Sequence, residues 1–241
     1  QVEFRATPLL GGPEDDGPDG APYANADARI IRHPADVGHV VGTVVDAGTD
    51  DAARAVGIAA DAGAAWSTVP ASERAAILER AADLLEAEMP RFLALAIREA
   101  GKTLPNAVGE VREAVDFCRY YAGEARRVFA DPAVTPIGPV VAIAPWNFPL
   151  AIFAGEVAAA LAAGNAVLAK PAEQTPLIAF EAVQLFRRAG VPPAALQLLP
   201  GPGETIGAAL AADPRVAGVV FTGSTAVARL LNRALAERTD D

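Results

Sequence analysis

Short apolar runs alternate with helical patterns in the second half of the sequence, and this alternation constrains the fold more than any other feature. Between residues 138 and 241, four apolar runs are each followed by a turn and a helix. Strands that alternate with helices in this way form a parallel sheet with right-handed crossovers. The predicted strands are Val140–Ala144, Ala166–Ala169, Leu196–Leu199 and Gly218–Phe221. The sequence therefore predicts an α/β fold: a Rossmann-type parallel sheet with helices on both faces.

Helix boundaries in this half follow from glycine and proline positions. Thr175 is a plausible N-cap before Pro176, and Gly164 and Gly190 stand where helices should end. The predicted helices are Ile152–Ala163, Pro176–Ala189, Glu204–Ala211 and Thr225–Ala236.

A mostly helical layer is predicted before the sheet. Its helices are expected at Asp50–Ala65, from near Pro70 or Ser72 (with Ser72 a plausible N-cap) to Pro90, at Phe92–Ala100 closed by Gly101, and at Pro105–Val128. Earlier still, residues 1–29 read as irregular, with GGPEDDGPDGAP at 11–22 favouring turns. Ile30–Ile31 and Val40–Val45 are short strand candidates. The predicted division is 1–48 irregular with short strands, 49–130 helical layer, and 138–241 Rossmann-type core.

Composition excludes several classes of function. A net charge of −10 without a basic cluster argues against nucleic acid as a partner. The longest uncharged run, 132–155, contains five prolines, which argues against a membrane helix. With one cysteine and only His33 and His39 as histidines, no metal site is expected. We expect a reducing, cytoplasmic compartment.

Cys118 shares an apolar helical stripe with Val111 and Val115. No histidine or helix N-terminus stands nearby to lower its pKa. We therefore expect a core cysteine and no nucleophile.

Polar and glycine residues follow each predicted strand, and parallel strands bring such turns to one sheet edge. Glycines let backbone approach a ligand, and a helix N-terminus after Gly223-Ser224 can bind a pyrophosphate. Glu173 stands where a carboxylate can accept from ribose hydroxyls. Structural alternatives remain: Asn147 could merely satisfy its turn, Lys170 and Glu173 could be a solvated pair, and Gly223 a tight turn.

Three motifs make the chain resemble the aldehyde dehydrogenase superfamily. They are PWNFP at 145–149, AAGNAVLAKPAEQTP at 162–176 and FTGST at 221–225. Together with EAGKTLPNAVGEVREAVDFCRYYA at 99–122, they resemble the L-glutamate γ-semialdehyde dehydrogenase modules of bifunctional proline-catabolic enzymes. The resemblance implies NAD-dependent oxidation of that aldehyde to L-glutamate, in proline catabolism.

The resemblance also implies roles for individual residues. Asn147 would donate its side-chain amide to the oxyanion formed during catalysis. Lys170 and Glu173 would hold the adenosine ribose, and the carboxylate would favour NAD over a 2′-phosphorylated cofactor. Glu110 and Phe153 are candidates for the aldehyde entrance. The remaining implied NAD contacts are Ile143, Ala144, Pro145, Trp146, Gly203, Gly207, Phe221, Gly223, Ser224 and Val227.

The sequence also departs from the family. The family's nucleophilic cysteine and general-base glutamate follow the FTGS helix and have no counterpart before Asp241. We therefore expect the catalytic domain to be absent and the chain alone to be inactive. The short segment ADPAVTPIGP, 130–139, stands where the family carries bridging strands, so family-like homo-oligomer contacts are not expected. Peripheral membrane association would need regions outside this chain. Two other functions stay open: a non-catalytic nucleotide-binding or assembly module, and a dehydrogenase for another semialdehyde such as succinate semialdehyde.

Overall fold

The computed structural model describes residues 4–12, 23 and 26–238. A small sheet comes first, with strands β1 (Phe4–Ala6), β2 (Arg29–His33) and β3 (Asp36–Val44) in the order β1-β3-β2. The two later strands confirm the candidates at 30–31 and 40–45. The prediction that residues 1–29 are irregular is wrong for β1, which pairs in parallel with β3. Of the segment 11–22, where turns are predicted, only residues 11 and 12 are described; the rest lies outside the described residues.

Four helices form the next layer: α1 (Thr49–Ser67), α2 (Ala71–Ala87), α3 (Met89–Ala100) and α4 (Leu104–Arg127). Gly101 ends α3 with φ 68°, a left-handed conformation that glycine adopts without a steric penalty. The N-cap predicted at Ser72 is wrong, because Pro70 takes that position and α2 has already begun at Ala71.

The central sheet contains β4 (Val140–Ile143), β5 (Val167–Lys170), β6 (Leu196–Leu198) and β7 (Gly218–Phe221). Its strand order is β6-β5-β4-β7, and every adjacent pair is parallel. This confirms the predicted parallel sheet. The chain moves outward from β4 to β5 and β6, then crosses back to place β7 on the other side of β4.

Each strand of this sheet leads into helical structure, as predicted: α5 (Ala151–Ala162) after β4, α6 (Pro176–Arg188) after β5, and α8 (Thr225–Ala236) after β7. The segment after β6 differs from the predicted single helix. Gly203–Gly207 forms a π-helical turn, and only then does α7 (Ala208–Ala212) begin. Such turns are frequent at functional sites.

Helices cover both faces of the central sheet. Val140 and Ala142 point into one core, shared with α2, α4, α5 and α6. Val141 and Ile143 point into a second core, shared with α1, α7 and α8. Alternation along β4 thus buries both faces, as is typical of parallel strands. The three-part division of the chain stays a prediction, because the helical layer and the sheet share these cores.

Candidate functional site

The turns after β4 and β7 face each other across a groove at the carboxyl edge of the sheet. The sheet order places β4 between β5 and β7. The connection after β4 leads to one side of it, and the connection into β7 returns to the other side. Open α/β sheets bind ligands in the crevice at such a switch point. The groove has a volume of about 590 Å³. Its lining includes eight of the residues predicted for the site: Ala144, Pro145, Trp146, Asn147, Phe221, Gly223, Ser224 and Val227.

The PWNFP turn, residues 145–149, projects from a buried strand. Val140–Ala144 are buried, whereas Trp146 is 58% and Phe148 40% exposed. Asn147 is exposed as well, and its side chain makes no hydrogen bond with the described residues. The alternative in which Asn147 satisfies its own turn through its side chain is therefore not observed, and its amide is free to donate into the groove.

A second, narrower cleft of about 200 Å³ lies beside the groove. It runs between the π-helical turn and α8 and is mostly apolar in lining. The predicted residues that it brings together are Ile143, Lys170, Gly203, Gly207 and Val227. Glu173 stands at its rim, where its Oε2 accepts a hydrogen bond from Gly203 N at 3.4 Å.

Lys170 is buried, with 3% of its surface exposed, and its Nζ donates to Pro171 O at 2.9 Å. Burial lowers the pKa of Lys170, and the carboxylates of Glu173, Glu204 and Asp46 oppose that shift. The solvated Lys170–Glu173 pair considered from the sequence is not observed. A buried ammonium next to a rim carboxylate instead gives this cleft one donor and one acceptor for a polar ligand.

The start of α8 is exposed and capped by its own sequence. Ser224 is the N-cap, and its Oγ accepts from Val227 N at 3.2 Å. An α-helix leaves its first amides without intrahelical partners, here those of Thr225 and Ala226. A Cβ on Gly223 would lie 2.5 Å from Cζ of Phe221, so glycine lets this ring fold against the turn.

The two residues predicted at the aldehyde entrance lie in the interior. Phe153 has no exposed surface. Glu110 is buried too, and its Oε2 accepts from Leu150 N at 3.2 Å and Ala151 N at 2.9 Å. Among the described residues, neither lines the groove.

Sequence reasoning missed the capping role of two buried glutamates. Glu110 caps the start of α5, and Glu99 caps the start of α6, accepting from Leu177 N at 2.7 Å and Ile178 N at 2.9 Å. Thr175 stands at the N-cap of α6, as predicted, but its side chain makes no capping bond. Two features of the sequence could have indicated the cap of α5. Glu110 lies among the apolar residues of α4, and Leu150, at the N-cap of α5, has no side chain that can cap a helix.

A third buried glutamate, Glu156, lies on the inner face of α5. Neither carboxylate oxygen has a well-aligned hydrogen-bond partner among the described residues. Burial raises the pKa of Glu156 to about 8, and the nearby Thr222 hydroxyl offsets part of the shift. The carboxyl therefore favours its protonated form near neutral pH.

Cys118 is buried in the core of the helical layer, as predicted. Burial raises the pKa of its thiol to about 12, so the nucleophilic thiolate is strongly disfavoured. Among the described residues, no cluster of His, Cys, Asp or Glu could hold a metal ion. In the same part of the chain, none of the helices has the length and apolar character needed to cross a membrane.

Comparison with known proteins places these features in a family. A model described as the aldehyde dehydrogenase family matches residues 24–240. Bifunctional protein PutA of Klebsiella aerogenes is 55% identical over 219 residues, 91% of this chain and 17% of PutA. Mitochondrial succinate-semialdehyde dehydrogenase of Arabidopsis thaliana is 39% identical, over 97% of this chain and 45% of that protein.

Structural comparison agrees. The crystal structure of 1-pyrroline-5-carboxylate dehydrogenase from Thermus with bound NAD superposes with a TM-score of 0.88 and 34% identity. The match covers 96% of this chain and 46% of that one. The chain thus spans less than half the length of these relatives, and 17% of PutA. With its sequence matched from residue 24 to 240 and its fold shared with a solved relative, the chain belongs to the aldehyde dehydrogenase family.

Proposed function

We propose that the chain is the NAD-binding part of an aldehyde dehydrogenase that oxidises L-glutamate γ-semialdehyde to L-glutamate in proline catabolism. The observation that carries the proposal is the groove at the switch point, where the turn holding Asn147 faces the exposed start of α8. One turn offers a side-chain amide for catalysis, and the other offers backbone amides for an anion.

The residues fit a dinucleotide. The pyrophosphate would meet the amides of Thr225 and Ala226, where the helix dipole also favours negative charge. The apolar cleft beside Gly207 and Leu230 would take the adenine. Glu173 would accept from the ribose hydroxyls, and its negative charge would repel a 2′-phosphate. We therefore propose NAD, which supplies a hydride acceptor when bound.

Asn147 is the proposed catalytic residue of this chain. Its amide would donate to the oxyanion that forms when a thiolate adds to the aldehyde carbonyl. A preorganised donor of this kind lowers the barrier by about 3 kcal/mol. Cys118 cannot supply the thiolate, because it is buried and its pKa is raised to about 12. The thiolate would therefore come from outside this chain, and we propose that the chain alone is inactive.

Glu110 and Phe153 would not contact the aldehyde, because both side chains are buried. Lys170, which lines the cleft with its ammonium buried, would hold the ribose together with Glu173 at the rim. A reducing, cytoplasmic location remains a proposal that rests on the single cysteine.

A second aldehyde is the alternative with specific support, since a succinate-semialdehyde dehydrogenase is 39% identical to this chain. An assay of the full-length gene product decides between them. We expect NAD-dependent NADH formation with a higher kcat/KM for L-glutamate γ-semialdehyde than for succinate semialdehyde. A reversed preference would favour the alternative substrate. A full-length product that binds NAD but oxidises neither aldehyde would favour a non-catalytic nucleotide-binding module.

A further inference from the structure

We propose that Glu110 and Lys102 form a positioning pair that holds the PWNFP turn and thereby sets where Asn147 presents its amide. The inference rests on the proposed function, because it assigns the pair to the step that uses Asn147. Glu110 lies on α4 and Lys102 on the connection between α3 and α4, and neither lines the groove.

Glu110 holds the end of the turn at the start of α5 through hydrogen bonds. Its Oε2 accepts from both Leu150 N and Ala151 N, the residues that directly follow the turn. Carboxylates form stronger hydrogen bonds to backbone amides than neutral acceptors do, and the positive end of α5 adds to the attraction. The chain is thereby anchored three residues after Asn147.

Lys102 grips the turn at Phe148. Its Nζ lies 4.2 Å from the centroid of the Phe148 ring, within the range of a cation–π interaction. The same Nζ forms an ion pair with Glu110 Oε1 at 2.7 Å. The Lys102 side chain is 14% exposed and that of Glu110 1%, so solvent screens this pair little.

Asn147 depends on the turn for its position, because its own side chain makes no contact with the described residues that would hold it. Its side chain is exposed and makes no hydrogen bond with the described residues, so its place is set by the backbone of the turn. Small displacements of a catalytic group are costly, on the order of 100-fold in rate for about 1 Å. Loosening the pair should therefore lower kcat by a larger factor than it raises the KM for NAD, which would also have contacts on the other side of the groove.

Glu99 provides a matched control. It caps α6 with two backbone hydrogen bonds, as Glu110 caps α5, and it is equally buried. The turn before α6 carries no oxyanion donor. A purely structural role for Glu110 therefore predicts that Glu110→Gln and Glu99→Gln behave alike, whereas positioning predicts that they differ in kcat.

The test uses the full-length gene product. We expect Glu110→Gln to lower kcat at least about tenfold with a clearly smaller change in the KM for NAD, while Glu99→Gln keeps its kcat. Lys102→Met should also lower kcat, and Lys102→Arg, which keeps the charge over Phe148, should restore most of it. Equal kcat values for Glu110→Gln, Lys102→Met and the wild type would overturn the proposal. If Glu110→Gln does not fold, the two Lys102 variants decide.

Hydrogen exchange provides a readout that does not need activity. Peptides covering 145–151 should exchange faster in Lys102→Met than in the wild type or in Lys102→Arg. Unchanged exchange in that segment overturns the positioning pair even in an active enzyme. A wild type that oxidises no aldehyde refutes the proposed function instead, and faster exchange in Lys102→Met would still support the pair.

Discussion

The helices that follow the central strands begin in two different ways. The starts of α5 and α6 are buried, and carboxylates from the helical layer, Glu110 and Glu99, cap them. The start of α8 is exposed, and Ser224 caps it from its own sequence. The helical layer thus closes the starts of α5 and α6 and leaves the start of α8 open to solvent.

This difference separates two tasks at one sheet edge. A closed helix start cannot bind an anion through its amides, so the turn before α5 contributes through its side chain, Asn147. The open start of α8 keeps the amides of Thr225 and Ala226 available for a pyrophosphate. We infer that the turn before α5 supplies the catalytic amide and that the turn before α8 supplies the amides for the pyrophosphate.

The largest expected effect concerns Asn147 in the turn before α5. Asn147→Ala in the full-length gene product should lower kcat by about 100- to 1,000-fold, because an oxyanion donor is lost, and leave the KM for NAD near its wild-type value. Steady-state kinetics with NADH detection measures both. Asn106→Ala, an exposed asparagine at the start of α4, is the control. A raised KM for NAD with an unchanged kcat would break the division of tasks.

The cap of α6 should matter most for stability. Glu99→Ala leaves the amides of Leu177 and Ile178 buried without an acceptor, which should lower the free energy of unfolding by about 3 kcal/mol. Urea unfolding measures this change. Glu113→Ala, exposed on the same layer, should stay within about 0.5 kcal/mol of the wild type. A similar small loss at Glu99 would mean that the α6 start is hydrated.

Glu156 should make the stability of the protein depend on pH, because it is a buried carboxyl on α5 that caps no helix. Burial raises its folded-state pKa to about 8, so the folded protein binds more protons than the unfolded chain between about pH 4.5 and 8. This contribution to stability is present at low pH and is lost as the pH rises through that window. Relative to Glu156→Gln, the wild type should lose about 3.5 kcal/mol between pH 5 and 8. If the free energies of unfolding of the two proteins, measured with urea, changed with pH in the same way, the raised pKa would be contradicted.

The open helix start should show the smallest effect. Ser224→Ala removes one side-chain cap and should cost about 1 kcal/mol in urea unfolding. Ser224→Asp keeps the cap but places a negative charge where the pyrophosphate is proposed. It should therefore stay near wild-type stability while weakening NAD binding in a calorimetric titration. If Ser224→Asp bound NAD as tightly as the wild type, the proposed position of the pyrophosphate would be contradicted.

The parallel sheet could be predicted because its signals are local. Apolar runs such as Val140–Ala144 stop at prolines or glycines, and each is followed by a helical pattern. The strand β1 could not be predicted, because three residues carry little pattern and their partner strand lies far along the chain. The π-helical turn at Gly203–Gly207 likewise has no distinct local signal.

Candidate site residues on the sheet edge could be predicted for the same reason: they follow strands directly. The groups that hold them could not. Glu110 lies 40 and 41 residues from the amides it caps, and Glu99 lies 78 and 79 residues from its own. Such contacts come from packing of the helical layer on α5 and α6. The family resemblance implied that Glu110 lies at an aldehyde entrance, whereas the structure buries it and bonds its Oε2 to the amides that follow the turn.

The central claim is that this sheet edge binds NAD, with Glu173 on the ribose. Calorimetric titration of NAD into the wild type, Glu173→Ala and the exposed control Glu237→Ala tests it most directly. We expect the dissociation constant to rise about tenfold in Glu173→Ala, equivalent to about 1.4 kcal/mol, and to stay unchanged in Glu237→Ala. Equal, tight binding by all three proteins would contradict the placement of the ribose and, with it, the account of the site.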